Sequence, residues 1–163
     1  MEIIPITKAN FSEVLEIYKQ GLATKISTFQ NELPQWEDWD KGHLDFCRIS
    51  IYENNKMIGW NALTPVSSRC VYAGVAEVSI YIAQNERGKG IGEILLKELI
   101  KQSEENQIWM LQSSIFSENL SSINLHKKCG FRMVGYREKI GKKNGIWKDN
   151  VLMEYRSKNI GVD

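Results

Sequence analysis

The sequence predicts an α+β fold with a mixed, mostly antiparallel central sheet and about four helices on its two faces. Three observations lead to this prediction. Apolar residues recur at helical spacing in four segments, apolar and polar residues alternate in several others, and short turns join most of those alternating segments. The 163 residues, 42% of them hydrophobic, are enough to bury a core, so we expect one domain over residues 1–163 with its core at 3–156.

The first half of the chain predicts a strand, two helices and a hairpin. Phe11, Val14 and Tyr18 have the spacing of one helical face, and Asn54-Asn55 is a typical hairpin turn. The expected elements are, in chain order, a strand at 3–6, a helix at 10–22, a loop at 23–34 with an extended piece at 26–29, a helix at 35–45, strands at 46–53 and 57–63, and a loop at 64–74.

The second half predicts strands alternating with two further helices. Alternate residues of a strand point to opposite faces, so Glu77 and Tyr81 should lie on the face opposite Ile80. The expected elements are a strand at 76–83, a glycine-rich turn at 88–92, a helix from there to 106, a strand at 108–115, a helix at 117–128 capped near Ser117 or Asn119, and strands at 131–138 and 146–155 around a turn at 142–145.

Charge and composition argue against several classes of protein. Lys and Arg number 21 against 20 Asp and Glu, and they are dispersed, which argues against nucleic-acid binding. The three cysteines lack zinc-site or disulfide spacing, and the two histidines form no metal-binding pattern, so we expect no metal. The sequence shows no signal peptide and no apolar run near the ~20 residues that span a membrane, so we expect a cytoplasmic protein without membrane contact.

The segment Arg87-Gly88-Lys89-Gly90-Ile91-Gly92, between a strand and an amphipathic helix, is the most informative in the sequence. Glycines bring backbone N–H groups close to a ligand, and the beginning of a helix adds unpaired N–H groups, so the segment suits a phosphate or pyrophosphate. It has neither the P-loop pattern nor the context of a dinucleotide-binding fingerprint. A helix that merely begins at flexible glycines is the alternative interpretation.

Arg87-x-x-Gly90-x-Gly92 resembles the coenzyme A pyrophosphate loop of the GNAT acetyltransferase superfamily, whose pattern is [RQ]xxGx[GA]. Downstream, Asn119 begins a helix that ends in Leu125-His126-Lys127-Lys128-Cys129-Gly130-Phe131, which is similar to the superfamily's LYEKLGF-like ending. His126 stands where most members have tyrosine.

Further segments resemble the phosphinothricin N-acetyltransferase branch, so that the resemblance extends from about Ile3 to Tyr155. That branch also has histidine at the position of His126 and differs in having threonine at the position of Val75. The similar residues are Pro65, Arg69, Tyr72, Glu77, Ser79 and Tyr81, the segments Ser27-Thr28-Phe29 and Leu33-Pro34, and Gly145-Ile146-Trp147-Lys148-Asp149.

The resemblance implies acetyl-CoA as co-substrate. In the superfamily, a strand bonds the pantetheine arm through its backbone, an asparagine side chain bonds the same arm, and the glycine turn holds the pyrophosphate. The coenzyme-binding residues that it implies here are Ile80, Tyr81, Ile82, Arg87, Gly88, Lys89, Gly90, Ile91, Gly92, Glu93 and Asn119.

The resemblance also implies catalytic roles. Glu77 would be the general base, because an alkyl ammonium with a pKa near ~10 must lose a proton before it attacks. A bulge or splay in its strand would aim an N–H at the thioester carbonyl, and His126 or Tyr81 would protonate the departing thiolate. Alternatively, Glu77 is a solvent-exposed strand residue and His126 is packed in its helix.

The implied acceptor site contains Phe29, Arg69, Tyr72 and Trp147, with Trp60 as a further wall. A guanidinium at Arg69 suits a carboxylate or phosphinate, and the alternative is a solvated loop cation. The expected function is transfer of an acetyl group to the α-amine of a small amino-acid-like molecule such as phosphinothricin, methionine sulfoximine or methionine sulfone. One alternative is a different acceptor: a protein N-terminus, a polyamine or an aminoglycoside. Another is a catalytically silent module that only binds acyl-CoA. The resemblance also implies a homodimer.

Overall fold

A computed structural model describes all residues, 1–163, and shows one seven-stranded sheet in the order β1-β2-β3-β4-β5-β7-β6. The strands are β1 (Glu2–Pro5), β2 (Ile49–Glu53), β3 (Lys56–Pro65), β4 (Val75–Ile82), β5 (Met110–Phe116), β6 (Arg132–Lys143) and β7 (Ile146–Arg156). The helices are α1 (Phe11–Ala23), α2 (Trp36–Gly42), α3 (Ile91–Glu105) and α4 (Leu120–Lys128). Every strand pairing is antiparallel except that of β4 with β5, which confirms the predicted α+β fold.

The structure differs from the sequence prediction mainly at the ends of elements. Helix α2 ends at Gly42 instead of near 45, because the chain turns there and the Leu44 N–H donates to the Leu63 carbonyl at 2.8 Å. Helix α4 begins later than predicted, after Asn119, whose side chain caps it. The extended piece expected at 26–29 forms no strand and is part of a loop.

Two helical layers cover the two faces of the sheet. On one face, Leu96 and Leu99 of α3 and Ile123 of α4 pack with Val78 and Leu111 of the sheet. On the other face, α1 and α2 pack against the first strands; the buried residues of this cluster include Phe11, Val14, Ile17, Tyr18, Trp39 and Trp60. None of the helices has the length and apolar character that crossing a bilayer requires.

The parallel strands β4 and β5 separate part of the way along their length. Their pairing runs only from Val75–Met110 to Glu77–Gln112. Strand β4 nevertheless stays paired with β3 in one unbroken register from Pro65–Ala76 to Gly59–Ile82. The second half of β4 therefore has a strand on one side and a wedge-shaped opening on the other, formed by splay and without a bulge.

Candidate active site

A cleft of about 640 Å³ occupies the wedge between β4 and β5. Its walls are the second half of β4, the glycine-rich turn with the start of α3, residues 113–115 of β5, helix α4, and the loop at 24–30. Sequence analysis predicted a site that includes β4, the turn and α4, and the structure brings these three segments together.

The glycine-rich turn presents a row of free amides to this cleft. Gly88 and Gly90 have φ angles of +78° and +84°, which L side chains rarely adopt, and no atom lies within 4 Å of where their Cβ atoms would be. The backbone N–H groups of residues 88–92 make no hydrogen bond to another protein group. Because Gly90 is also the N-cap of α3, the positive end of the helix dipole adds to these donors. The arrangement suits a phosphate or pyrophosphate.

Charged side chains around the turn are held in fixed positions. The Arg87 guanidinium donates through Nε to the carbonyl of Ile82 at 3.2 Å, which fastens the turn to the end of β4. The Glu93 carboxylate pairs with Lys128 at 2.5 Å and Lys97 at 2.7 Å. Hydrogen bonds from these two ammonium groups lower the pKa of Glu93 to about 2. This carboxylate joins α3 to α4 beside the turn.

The free edge of β4 supplies further hydrogen-bonding groups. Val75 and Ala83 are bonded across to β3, and hydrogen-bonded positions alternate along an antiparallel pair. Val78, Ile80 and Ile82 therefore direct their N–H and C=O groups away from β3. The N–H of Val78 still belongs to the last pair with β5, so the free groups in the wedge begin with the Val78 C=O and continue with Ile80 and Ile82. Tyr81 is different: its backbone is bonded to β3, so it cannot extend the sheet toward a ligand as predicted. The C=O of Val78, a residue that the sequence analysis did not include, faces the wedge instead.

Glu77 lies at the point where β4 and β5 part. Its side chain is half-buried and lines the cleft. One oxygen, Oε2, accepts a hydrogen bond from Gln112 Nε2 at 2.8 Å, which fixes the carboxylate across the last paired residues of the two strands. The solvent-exposed alternative for this residue is therefore wrong.

The Tyr81 side chain lines the cleft on the same face of the sheet as Glu77. Its ring packs against Tyr18 at 4.8 Å and against Trp60 at 4.9 Å, both measured between ring centroids. Gly21 of α1 permits this packing, since a Cβ there would lie 2.6 Å from the ring. Burial, followed by the effect of Tyr18, raises the pKa of the phenol, so Tyr81 keeps its proton at neutral pH.

Asn119 and His126 belong to the α4 wall. The Asn119 Oδ1 accepts from Ser122 N at 3.2 Å, and its Nδ2 donates to the Ile26 carbonyl at 3.3 Å. Asn119 therefore both caps the helix and holds the loop at 24–30 over the cleft.

His126 is 1% exposed, with Nδ1 2.8 Å from the Ser122 carbonyl and Nε2 without a partner. Nδ1 must carry the proton, because a carbonyl can only accept. Burial lowers the pKa of the imidazole, which is therefore neutral at pH 7 and offers a lone pair at Nε2. As placed, His126 is both packed in its helix and in contact with the cleft.

Phe29 is the only one of the four predicted acceptor-site residues that lines the cleft. Its ring lies 4.6 Å from that of Phe116 and against Gly141, where a Cβ would be 2.9 Å away. The nearly buried Lys143 donates its ammonium to the carbonyl of Gln30. The hairpin of β6 and β7 thus packs against the loop at 24–30 and holds it in place.

The other predicted acceptor-site residues lie outside the cleft. Arg69 and Tyr72 are exposed on the β3–β4 loop, which leaves the sheet at its paired end, and they stack on one another at 5.5 Å. Trp147 is 52% exposed near the tip of the β6–β7 hairpin, where the Lys142 ammonium lies 4.8 Å from its ring. Trp60 is buried in the α1 layer. These positions correct the predicted acceptor site within this chain.

Residues of β5 and β7 that line the cleft were missed by sequence analysis. They are Ser113, Ser114, Ile115 and Asn150. The sheet order brings β7 beside β5, and no local sequence signal marks that adjacency.

Comparison with known proteins agrees with this geometry. The profile of the acetyltransferase (GNAT) domain matches residues 6–152. The L-methionine sulfoximine/L-methionine sulfone acetyltransferase of Pseudomonas aeruginosa is 35% identical over 51% of this chain and 48% of its own, so the chain matches about half the length of that relative.

Two solved structures are similar over nearly the whole chain. One is a ribosomal-protein-alanine N-acetyltransferase from Brucella melitensis, with a TM-score of 0.87 and 27% identity, covering 96% of this chain and all of that one. The other is a phosphinothricin acetyltransferase from Sinorhizobium meliloti in complex with acetyl-CoA, with a TM-score of 0.85, 25% identity and coverages of 95% and 87%. The chain therefore belongs to the GNAT acetyltransferase family and is similar to its phosphinothricin and methionine sulfoximine acetyltransferases.

Proposed function

We propose that the protein transfers the acetyl group of acetyl-CoA to the primary α-amine of a small amino-acid-like molecule, by direct attack with both substrates bound. The observation that carries this proposal is the continuity of the cleft. It joins free amides at the glycine-rich turn, the unpaired edge of β4 and the Glu77 carboxylate in one space.

The residues of the turn and of β4 fit the coenzyme. Amides of residues 88–92 would bind the pyrophosphate, which explains how a chain of formal charge +1 accommodates an anionic ligand without a basic patch. The backbone groups of Val78, Ile80 and Ile82 would bond the pantetheine arm as an added strand. When bound, the coenzyme supplies the thioester that is cleaved.

Glu77 would accept the proton of the acceptor ammonium, directly or through one water. The free amine then forms its bond to the acetyl carbonyl carbon, and the carbon–sulfur bond breaks with its electron pair leaving on sulfur. The nitrogen releases its second proton in this step, and the thiolate takes up one proton, which gives the amide and the free thiol. Negative charge develops on the carbonyl oxygen, and the N–H of Ile80, the first on this edge of β4 beyond the residues paired with β5, would stabilise it.

Tyr81 is the better candidate for returning a proton to the thiolate. Its phenol is protonated at neutral pH, whereas His126 carries its proton on Nδ1, turned toward the Ser122 carbonyl. The need for an acid is modest, because a thiol of pKa ~8.5 is a tolerable leaving group. His126 would instead use Nε2 to accept a hydrogen bond from a ligand.

A second candidate acceptor is the N-terminus of a protein. The similarity to a ribosomal-protein-alanine N-acetyltransferase favours it. Both candidates place an α-amine at Glu77, and they differ in the length of the molecule that carries this amine.

Thiol release from acetyl-CoA, measured with a panel of amines, tests the acceptor class. We expect turnover with L-methionine sulfone, L-methionine sulfoximine or phosphinothricin, and little with polyamines or aminoglycosides. Turnover with alanine-initiated peptides alone would favour the second candidate. No thiol release with any amine, although acetyl-CoA binds, would indicate a silent binding module.

Glu77→Gln removes the base while keeping the size of the side chain. We expect kcat to fall by about a hundredfold or more at pH 7, with acetyl-CoA affinity nearly unchanged. Glu154→Gln is the control, because Glu154 lies on the same sheet in register with Gln112 but outside the cleft. Unchanged turnover in Glu77→Gln would remove Glu77 from the mechanism.

Gly90→Val places a branched side chain at a φ of +84° and in front of the free amides. We expect acetyl-CoA affinity, measured by calorimetry, to fall more than tenfold, an effect above ~1.4 kcal/mol. Gly145→Val introduces a similar strain, at a φ of +78° in the β6–β7 turn, and should leave affinity unchanged. Equal affinities in the two variants would disprove the pyrophosphate assignment.

The exposed apolar side chains of the β6–β7 hairpin support the proposal of a homodimer. They are Met133, Val134, Tyr136, Ile140, Ile146 and Trp147, each 43–62% exposed. Exposed apolar side chains concentrated in one hairpin are a feature of many interfaces. Sedimentation equilibrium should give twice the chain mass of 18.8 kDa, and a monomer mass at micromolar concentration would contradict the proposal.

A further inference from the structure

Gln112 bonds the Glu77 carboxylate but does not itself line the cleft. It lies on β5 opposite Glu77 of β4, in the last pair of residues before the two strands part. Its Nε2 donates to Glu77 Oε2 at 2.8 Å, and an ionised carboxylate can only accept, so the amide nitrogen must face Glu77. This contact is the only hydrogen bond that the Glu77 side chain makes within the protein.

A second carboxylate lies on the other side of Gln112 and is already paired. Glu154 of β7 is in register with Gln112 and therefore lies on the same face of the sheet. Its carboxylate accepts from the guanidinium of Arg132, which is the register partner of Glu154 on β6. Gln112 thus stands between two carboxylates, and its amide donates to the one that has no cation beside it, Glu77.

The bond from Gln112 makes the two oxygens of Glu77 different. Oε2 is held by the amide, whereas Oε1 makes no hydrogen bond within the protein and is not one of its buried unpartnered atoms. Oε1 is therefore accessible, and the space that the Glu77 side chain lines is the cleft. A glutamate side chain that is free to rotate must lose this freedom before it takes a proton, so holding it in one geometry lowers the barrier.

We propose that Gln112 is a positioning residue, which holds the Glu77 carboxylate through Oε2 and so keeps Oε1 ready to take the proton of the acceptor ammonium. The inference rests on the proposed function, in which Glu77 is the base. Gln112 acts on the rate of proton removal and contacts neither substrate, because it lies outside the cleft. In a purely structural role, by contrast, the bond would only fasten β4 to β5 where the wedge begins.

Gln112→Met, which removes the amide and keeps an unbranched side chain of similar length, tests this assignment. With both substrates saturating, we expect kcat to fall about tenfold, as loss of one hydrogen bond to a charged group implies. The KM values for L-methionine sulfone and for acetyl-CoA should not change, because neither substrate contacts Gln112. A raised KM for acetyl-CoA would indicate a distorted wedge and would contradict the proposal.

Gln112→Lys keeps an N–H donor of similar reach, and its kcat should therefore exceed that of Gln112→Met. Equal kcat values in these two variants would contradict a role for the hydrogen bond.

Gln102→Met is the matched control, because Gln102 Nε2 also donates to a carboxylate, that of Glu98 at 2.9 Å, but on α3 and outside the cleft. This variant should have the kcat and KM values of the wild-type protein.

A double-mutant cycle shows whether Gln112 acts through Glu77. The base is already absent in Glu77→Gln, so the addition of Gln112→Met should leave kcat at the level of Glu77→Gln alone. A combined loss of about a thousandfold, the product of the two single effects, would show that Gln112 acts independently of Glu77 and would overturn the proposal.

Comparison with Glu77→Gln separates this inference from the proposed function. Loss of turnover in Glu77→Gln together with wild-type kcat in Gln112→Met would overturn the inference and leave the proposed function intact. Unchanged turnover in Glu77→Gln, or a wild-type protein that acetylates none of the amines, would overturn both.

Discussion

The end of backbone pairing between β4 and β5, just after Glu77 and Gln112, is the constraint on which the rest of the site depends. A sheet that continued to pair would leave no cleft and no free hydrogen-bonding groups. The β3–β4 ladder is unbroken beyond this point, so β4 remains rigid while its other edge is open. A buried strand edge needs hydrogen-bond partners, and an extended ligand with amide groups supplies them. The splay therefore defines both the space and the chemistry of the ligand.

Side chains from distant parts of the chain keep the wedge in shape. The Arg87–Ile82 hydrogen bond fixes the glycine-rich turn to the end of β4, and the Glu93 ion pairs join the two helices that flank it. Asn119 and Lys143 hold the loop at 24–30 from either side. Because the pKa of Glu93 is lowered, its carboxylate is charged at neutral pH. The Lys143 side chain is buried and therefore shielded from solvent.

The cleft also contains polar atoms that have no hydrogen-bond partner within the protein. Folding alone favours their removal, because each costs stability while it lacks a partner. The cleft keeps Asn150 Oδ1, His126 Nε2 and the amides of residues 88–92 without protein partners. Ligand recognition requires such groups, so the site is less stable than an apolar core of the same shape would be.

Much of the fold and of the cleft wall formed by β4, the glycine-rich turn and α4 is determined by the sequence alone. Periodicity identified all four helices and all seven strands, because each depends on neighbouring residues. The signals that identified this wall are likewise local in sequence. They are the glycines of Arg87–Gly92, the Asn119 cap and the alternation around Glu77. Only the tertiary structure decided which other residues line the cleft. Pairing of β7 with β5 places Asn150 in the cleft, whereas the exposed β3–β4 loop keeps Arg69 and Tyr72 out of it. The positions of these residues depend on contacts between segments far apart in sequence, which local periodicity does not encode.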